Sequence, residues 1–382
     1  MKIVADKAIP YARRFFSTLG EVVPLDSKDI TPESVRDADC LVIRSVTRVD
    51  EHLLNGSRVK CVASNSSGTD HVDTGYLDTR AVPLFNAKGC NANSVAEYVL
   101  SCLFVLSEQF GIGLEGKTAG IIGCGHVGAR LRSLLHVTGM ETQVYDPFIR
   151  DENGRFVFRD LDSVLSSDII TLHVPLTTAG EYPSAHMVDR QFLGRLKNDV
   201  IFVNTARGGV VNERDLVDFA RDNGACRLVL DVWDNEPDIN DELFALAALA
   251  TPHIAGYSAQ ARLNATRRVY EQVCGYFDVD ATAAVVILAD EDAELNLSGF
   301  DGVADAVRTA VLASYDVRSD CAALKGLAET EPHKRGAMFN SLRTEYPSRR
   351  EFPALRVALS DNQGVIRETL SALGFSIKPP PG

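Results

Sequence analysis

Three side chains of different chemistry stand just past apolar runs in the second half of the chain. They are Arg207 in Asn204-Thr-Ala-Arg-Gly-Gly209, Glu236 in Asp231-Val-Trp-Asp-Asn-Glu-Pro237, and His253 in Thr251-Pro-His-Ile-Ala-Gly-Tyr-Ser258. An imidazole titrates near neutral pH and can take the proton of a hydroxyl group. A carboxylate on its other ring nitrogen selects the tautomer and stabilises the charged ring, a role that suits Glu236. A guanidinium offers two parallel donors, and Arg207, set before two glycines, could clamp a substrate carboxylate. Each has a plainer alternative: a structural histidine after proline, an Arg207–Asp231 pair, a turn begun by Glu236-Pro237. The motif that precedes them favours the chemical reading.

That motif lies between Thr118 and Asp146. Ala119, Ile121 and Ile122 form an apolar run into Gly123-x-Gly125-x-x-Gly128. A helical pattern follows (Val127, Leu131, Leu134, Leu135), then a strand over Thr142–Tyr145 that ends at Asp146. In a strand–turn–helix context the first glycine permits a tight turn. The second lets a pyrophosphate approach the backbone, and the third lets helix and strand pack closely. The N–H groups at the helix start, at His126 and Val127, would hold the phosphates. Asp146 is placed to take both ribose hydroxyls of an adenosine. Pro147, Phe148 and Ile149 offer no positive charge to a 2′-phosphate, so NAD is expected rather than NADP. NAD performs only hydride transfer, which leaves binding, orientation and the proton to the protein.

These residues need a scaffold of alternating strands and helices. Strands are expected over Lys2–Ala5, Glu21–Pro24, Cys40–Arg44 and Arg58–Ala63, with a helix over Tyr11–Leu19. A long helix over Asn93–Phe110, capped by Asn93 or Ser94, would lead from the first α/β unit to the second. Beyond Asp146, strands are expected over Phe156–Phe158, Asp168–Val174, Asn198–Asn204 and Arg227–Val232. Such alternation predicts doubly wound parallel sheets, with ligands gathered at the carboxyl ends of the strands. Arg207, Asp231, Glu236 and His253 all fall just beyond such ends. In the first unit so do Arg44, Ser45 and the turn Ser64-Asn-Ser-Ser-Gly-Thr-Asp70. Ser66, Ser67 and Gly68 could present N–H groups to a carboxylate, or be ordinary loop chemistry. Arg44 could meet a second anionic group or form a salt bridge at the rim. His71, His173 and His186 are assigned to structure, His173 as a mid-strand residue.

The bulk properties agree with a globular enzyme. A chain of 382 residues, 45% hydrophobic and 24% charged, can bury a large core and should divide into two or three domains. A formal charge of −13 disfavours nucleic-acid binding. No signal core or membrane-length apolar run is apparent. The eight cysteines are scattered without a CxxC pair, so reduced thiols in the cytoplasm, and no zinc or other metal, are expected.

Taken together, Gly120–Gly128, His173–Thr177, Asn204–Gly209, Asp231–Pro237 and Thr251–Ser258 resemble, in order and spacing, the signatures of D-isomer-specific 2-hydroxyacid dehydrogenases. The resemblance covers residues 1 to about 280 and implies the catalytic set Arg207, Glu236 and His253. It implies cofactor contacts at Asp146, Val174, Thr205, Ala206, Asp231 and Gly256, and substrate contacts at Ser45, Ser66 and Tyr257. Ser66 and Val174 both replace an expected threonine; Ser66 keeps the hydroxyl and Val174 loses it. Arg44-Ser-Val-Thr47, Ser67-Gly-Thr-Asp-His-Val-Asp73 and Lys88–Val99 resemble one subfamily that acts on a small phosphorylated 2-hydroxy acid. That subfamily has an extra C-terminal domain which forms a homodimer. The expected division is 1–92 with 254–280 for substrate, 93–253 for NAD, and 281–382 as an α+β dimerisation domain. The last region reads as strand, helix, irregular stretch, helix, strand, helix, strand, with helices over Asp301–Asp316 and Gln363–Leu373 and a loop over Ala328–Lys334. Its basic cluster, Arg343, Arg349 and Arg350, is either a solvated helix end or, through one member crossing the dimer, a contact to the substrate phosphate. The alternatives are another D-2-hydroxyacid dehydrogenase, such as one acting on phosphoglycerate, or a non-enzymatic NAD-sensing scaffold of the same fold.

Overall fold

Short runs such as Cys40-Leu-Val-Ile43 and Ile169-Ile-Thr-Leu172 show no apolar–polar alternation and are buried throughout. A strand apolar on both faces needs cover on both sides, which a parallel sheet with crossover helices provides. The structure, a computed structural model, describes residues 1–149, 158–281, 293–347 and 349–378. The chain divides into two units, Met1–Asn91 with Ser258–Ala289 and Ala92–Tyr257 with Asp290–Gly382.

The first unit holds β1 (Lys2–Asp6), β2 (Glu21–Leu25), β3 (Cys40–Ile43), β4 (Cys61–Ser64) and β5 (Leu84–Asn86). They form one parallel sheet in the order β2-β1-β3-β4-β5. The helix Ala259–Tyr276 returns to this sheet from far along the chain. Its Tyr270 ring packs at 5.3 and 5.6 Å from the rings of Phe15 and Phe16, and its hydroxyl meets Thr18 Oγ1 at 2.8 Å.

In the second unit β6 (Thr118–Ile122), β7 (Glu141–Tyr145), β8 (Ile169–Leu172), β9 (Ile201–Asn204), β10 (Arg227–Leu230) and β11 (Leu249–Ala250) form a parallel sheet. Their order is β11-β10-β9-β8-β6-β7. The direction of winding reverses between β6 and β8, and the crevice at the carboxyl ends of those two strands is where such sheets bind ligands. The parallel trio β12 (Glu294–Asn296), β13 (Arg356–Ala358) and β14 (Ser376–Ile377) belongs to the same unit. The helix Val303–Ser314 buries Ala306, Val307, Ala310 and Val311 in one core with Tyr98, Cys102 and Leu131, from helices Ala92–Phe110 and His126–Val137.

Some elements differ from expectation. Asn93 and Ser94 are not caps, because the helix already begins at Ala92. Their polar groups are taken by tertiary partners: Asn93 Nδ2 donates to Glu97 Oε1 at 2.7 Å and Glu351 Oε2 at 2.8 Å, and Ser94 Oγ donates to the Ala255 carbonyl at 2.9 Å. His173 lies one residue beyond β8 rather than inside it. The stretch expected as a loop over Ala328–Lys334 instead closes a 3-10 turn, Gly326–Glu329, and opens a helix, Pro332–Thr344, with Pro332 in its first turn. A further helix, Arg318–Lys325, was not expected. Phe156 and Val157 of one expected strand lie outside the described residues, while Phe158 makes an isolated parallel bridge to Val144. No helix of the described residues is long and apolar enough to cross a membrane.

Candidate active site

The glycine turn sits at the carboxyl end of β6. Gly123 has φ +91°, and a Cβ there would meet the His173 carbonyl carbon at 2.8 Å. A Cβ on Gly128 would strike the Gly123 carbonyl, so the helix can approach the strand only with glycine at that position. Gly125 is different: a Cβ there meets nothing within 4 Å. It precedes the helix His126–Val137 with no side-chain cap, leaving the first N–H groups open to an anion. Asp146, just past β7, accepts from Cys124 N at 2.8 Å and Phe148 N at 3.0 Å, which aims its carboxylate along the turn. An open backbone at Gly125, uncapped helix N–H groups and an acidic residue at the next strand end fit a dinucleotide such as NAD.

On the other side of the switch point, Asn204 pins the turn that carries Arg207. Its side chain donates to the Arg207 carbonyl at 3.1 Å and accepts from Ala206 N at 3.0 Å. Arg207 Nη1 donates to the Ala206 carbonyl at 2.7 Å. A Cβ on Gly208 would collide with the Trp233 carbonyl, so the Arg207 turn and the 233–236 loop touch backbone to backbone. Thr205 Oγ1 stands 3.4 Å from His173 Nδ1, and burial pushes the His173 ring down to about 3, so that ring stays neutral. Val174 packs partly buried against the core beside Gly123.

Asp231 organises the loop that presents His253. Fully buried, it accepts from Thr251 Oγ1 at 2.7 Å, Ile254 N at 2.8 Å and Ala255 N at 3.0 Å, while its own carbonyl accepts from His253 N at 2.7 Å. Its bonds are to the protein, which makes it a loop-positioning residue. His253 is held at φ +57°, a left-handed conformation that costs about 1 kcal/mol or more for a residue with a Cβ and persists because Asp231 brackets it. Its Nδ1 lies 2.9 Å from Glu236 Oε2. The other carboxylate oxygen, Oε1, accepts from Trp233 N at 3.0 Å, and the single tryptophan is itself anchored by Nε1 donating to the Thr251 carbonyl at 3.0 Å. Burial pushes the Glu236 carboxyl up. The charge and hydrogen bond of His253, the Trp233 N–H and the Arg343 guanidinium outweigh it and hold the carboxyl below its ordinary value. With Nδ1–H donated to an ionised Glu236, Nε2 keeps its lone pair and can act as a base.

The structure therefore brings Glu236 and His253 together and sets the Arg207 turn against their loop. Gly256 and Tyr257 follow at once, Tyr257 N donating to the Ile254 carbonyl at 2.8 Å. The residues named in the first unit are engaged locally. Arg44 is held by Asp6 Oδ2 at 2.9 Å and Ser27 Oγ at 3.0 Å, so the anion it meets here is Asp6. Ser66 Oγ donates to the Gly68 carbonyl at 2.8 Å and lies 2.8 Å from Ser64 Oγ, and Ser67 Oγ accepts from Gly89 N at 3.4 Å. Ser45 is exposed on a turn closed by Thr47 N donating to the Arg44 carbonyl at 3.1 Å. Sequence reasoning missed Asn204, Trp233 and Thr251 as organisers of the site. All three lie inside the quoted motifs, but only their contacts show what they hold.

The basic cluster is not a solvated helix end. Arg349 Nη2 donates to the Ser94 carbonyl at 3.0 Å and Ser94 Oγ at 2.7 Å, and also reaches the Ala255 carbonyl. Its guanidinium carbon lies 4.0 Å from the centroid of the Tyr315 ring.

Comparison with known proteins decides the family. The chain is 41% identical, over 99% of both chains, to a protein of Hahella chejuensis named erythronate-4-phosphate dehydrogenase. It belongs to the erythronate-4-phosphate dehydrogenase family. Another member, from Chromohalobacter salexigens, is 39% identical over 99% of both chains. Residues 104–255 match the NAD binding domain of D-isomer specific 2-hydroxyacid dehydrogenases, and residues 293–374 match a domain of unknown function. Among solved structures, NAD+-bound 3-phosphoglycerate dehydrogenase of Entamoeba histolytica is 27% identical with a TM-score of 0.63, covering 76% of this chain and 99% of its own. D-lactate dehydrogenase of Aquifex aeolicus, complexed with NAD and lactic acid, shares the fold at 22% identity and a TM-score of 0.61, covering 73% and 96%. The family is one of NAD-dependent dehydrogenases.

Proposed function

We propose that this chain oxidises 4-phospho-D-erythronate at C2 with NAD, giving 2-oxo-3-hydroxy-4-phosphobutanoate for pyridoxal 5′-phosphate synthesis. The observation that carries the reading is the 2.9 Å Glu236–His253 couple in the unit that also bears the glycine turn. The relatives' shared name supplies the substrate. NAD, when bound, accepts hydride from C2. His253 Nε2 takes the C2 hydroxyl proton, and Glu236 keeps the ring in the required tautomer and stabilises its charged form. Arg207 holds the substrate carboxylate and polarises the C2–O bond as it becomes a carbonyl. Asp231 keeps His253 in place; Tyr257, Ser45, Ser66, Ser67 and Gly68 are proposed substrate contacts, and Arg44 is proposed to add positive charge beside them.

The division into a substrate lobe, an NAD lobe and a C-terminal dimerisation domain over 281–382 is likewise a proposal, as is a homodimer in the cytoplasm. Eight free cysteines suit a reducing compartment. Light scattering of the full chain tests the dimer. NADH formation with 4-phospho-D-erythronate and, separately, with 3-phosphoglycerate tests the activity. Preference for 3-phosphoglycerate would reassign the substrate, and no turnover with either acid would leave an NAD-binding scaffold.

A further inference from the structure

The helix Pro332–Thr344, within the region matching a domain of unknown function, lies along the loop that bears Glu236. At one point Gly336 is so near that a Cβ would meet Pro237 Cγ at 3.2 Å. Next to it Arg335 Nη1 donates to both oxygens of Asp241 at 2.7 Å. At its last turn Arg343 Nη1 stands 3.8 Å from Glu236 Oε2, the oxygen that also faces His253 Nδ1. The Arg343 side chain is 16% exposed, and its Nε is buried with no hydrogen-bond partner among the described residues. Just beyond, the Tyr346 ring packs edge-on against Tyr257 at 6.0 Å. A half-buried cation beside a carboxylate already shared with an imidazole is more than a surface pair, whose charges water would screen.

We propose that Arg343 is a positioning residue for the Glu236–His253 couple, its charge setting the pH at which the imidazole becomes free to accept the substrate proton. This rests on the dehydrogenase reading above. Other charged groups near the couple are Glu213, whose Oε1 accepts from Asp234 N at 2.8 Å, Asp234 itself, and Arg207 on the turn packed against the 233–236 loop. Arg343 is the cation that faces Glu236 from the C-terminal helix, and Arg335 is already committed to Asp241. Without Arg343 the carboxylate gives its full negative charge to the ring, which then holds its proton to higher pH. The C-terminal region thus tunes the site of its own chain, whatever it does in assembly.

The test compares wild type, Arg343→Gln and Arg343→Lys. The expected result is that the acid limb of kcat/KM for 4-phospho-D-erythronate oxidation moves up by about half a pH unit or more in Arg343→Gln. Arg343→Lys should stay near wild type and KM should change little. NMR of labelled histidine, which needs no substrate, should show the His253 ring titrating at higher pH in Arg343→Gln alone. An unmoved limb and unmoved ring titration overturn the proposal. So does a raised KM with the limb in place, which would make Arg343 a phosphate contact. If wild type does not oxidise the phosphorylated acid at all, the substrate reading fails while the NMR arm still decides this one. Should Arg343→Gln fail to fold, a shifted limb in Arg343→Lys overturns the proposal and an unshifted one supports it.

Discussion

Glu236 holds His253 through one carboxylate oxygen and the Trp233 N–H through the other, at 2.9 and 3.0 Å. The carboxylate is therefore fixed in plane and cannot rotate away from the ring. Its ionised form is favoured by the same contacts.

The first consequence concerns His253. Replacing it with alanine removes the base while leaving the Asp231 bracket of backbone N–H groups largely intact. Turnover should fall by about 10^3-fold or more, with NAD affinity within a few-fold of wild type. Stopped-flow rates and cofactor titration check this. A variant that keeps most of its turnover would remove His253 from the mechanism.

Two glycines of one motif should behave differently. Gly125→Ala adds a methyl group to open space, so its melting temperature should hardly change while its dissociation constant for NAD rises by about tenfold or more. Gly128→Ala drives a methyl group into the Gly123 carbonyl and should lower stability by about 2 kcal/mol or more. Thermal melts paired with NAD titration separate the two, and equal melting losses would refute the distinction.

Glu97 makes stability depend on pH. Burial, and the charge of Glu351 beside it, raise this carboxyl from its ordinary 4.5 to about 8. The native state then keeps a proton that the unfolded chain has already released over that window. The contribution of this group to stability is greatest below about 4.5 and declines as pH rises toward 8. Glu97→Gln cannot ionise, so its stability relative to wild type should rise between pH 5 and pH 8.5 by about 4 kcal/mol. Urea midpoints at the two pH values measure it; a difference independent of pH counts against a protonated Glu97.

Arg349 ties the C-terminal segment to Ser94 and Ala255. Arg349→Met leaves the carbonyls of both residues without that donor and should cost about 3 kcal/mol. Arg349→Lys should recover only part of this, since an ammonium cannot reproduce the planar stack on Tyr315. Denaturant unfolding is the measurement, and a loss within about 0.5 kcal/mol would show that the tie carries little.

The sequence alone determined the two parallel sheets, the dinucleotide turn and the three chemical groups. Each of these is written in local pattern: apolar runs without alternation, glycines at fixed spacing, polar residues just beyond strand ends. Strand ends came out less well, as with His173, because hydrogen-bond pairing to a neighbouring strand sets where a strand stops. What the tertiary structure decided were the partners of buried polar groups. Asn93 and Ser94 look like caps in sequence, yet they bind Glu351 and the Ala255 carbonyl. Arg44 reads in sequence as either an anion site or a salt bridge, and the fold pairs it with Asp6. Arg343 and Arg349 look like one basic cluster, yet one faces Glu236 and the other is buried against Ser94 and Tyr315. A charged side chain takes whichever opposite charge the packed backbones bring within reach, and no spacing along the chain encodes that distance.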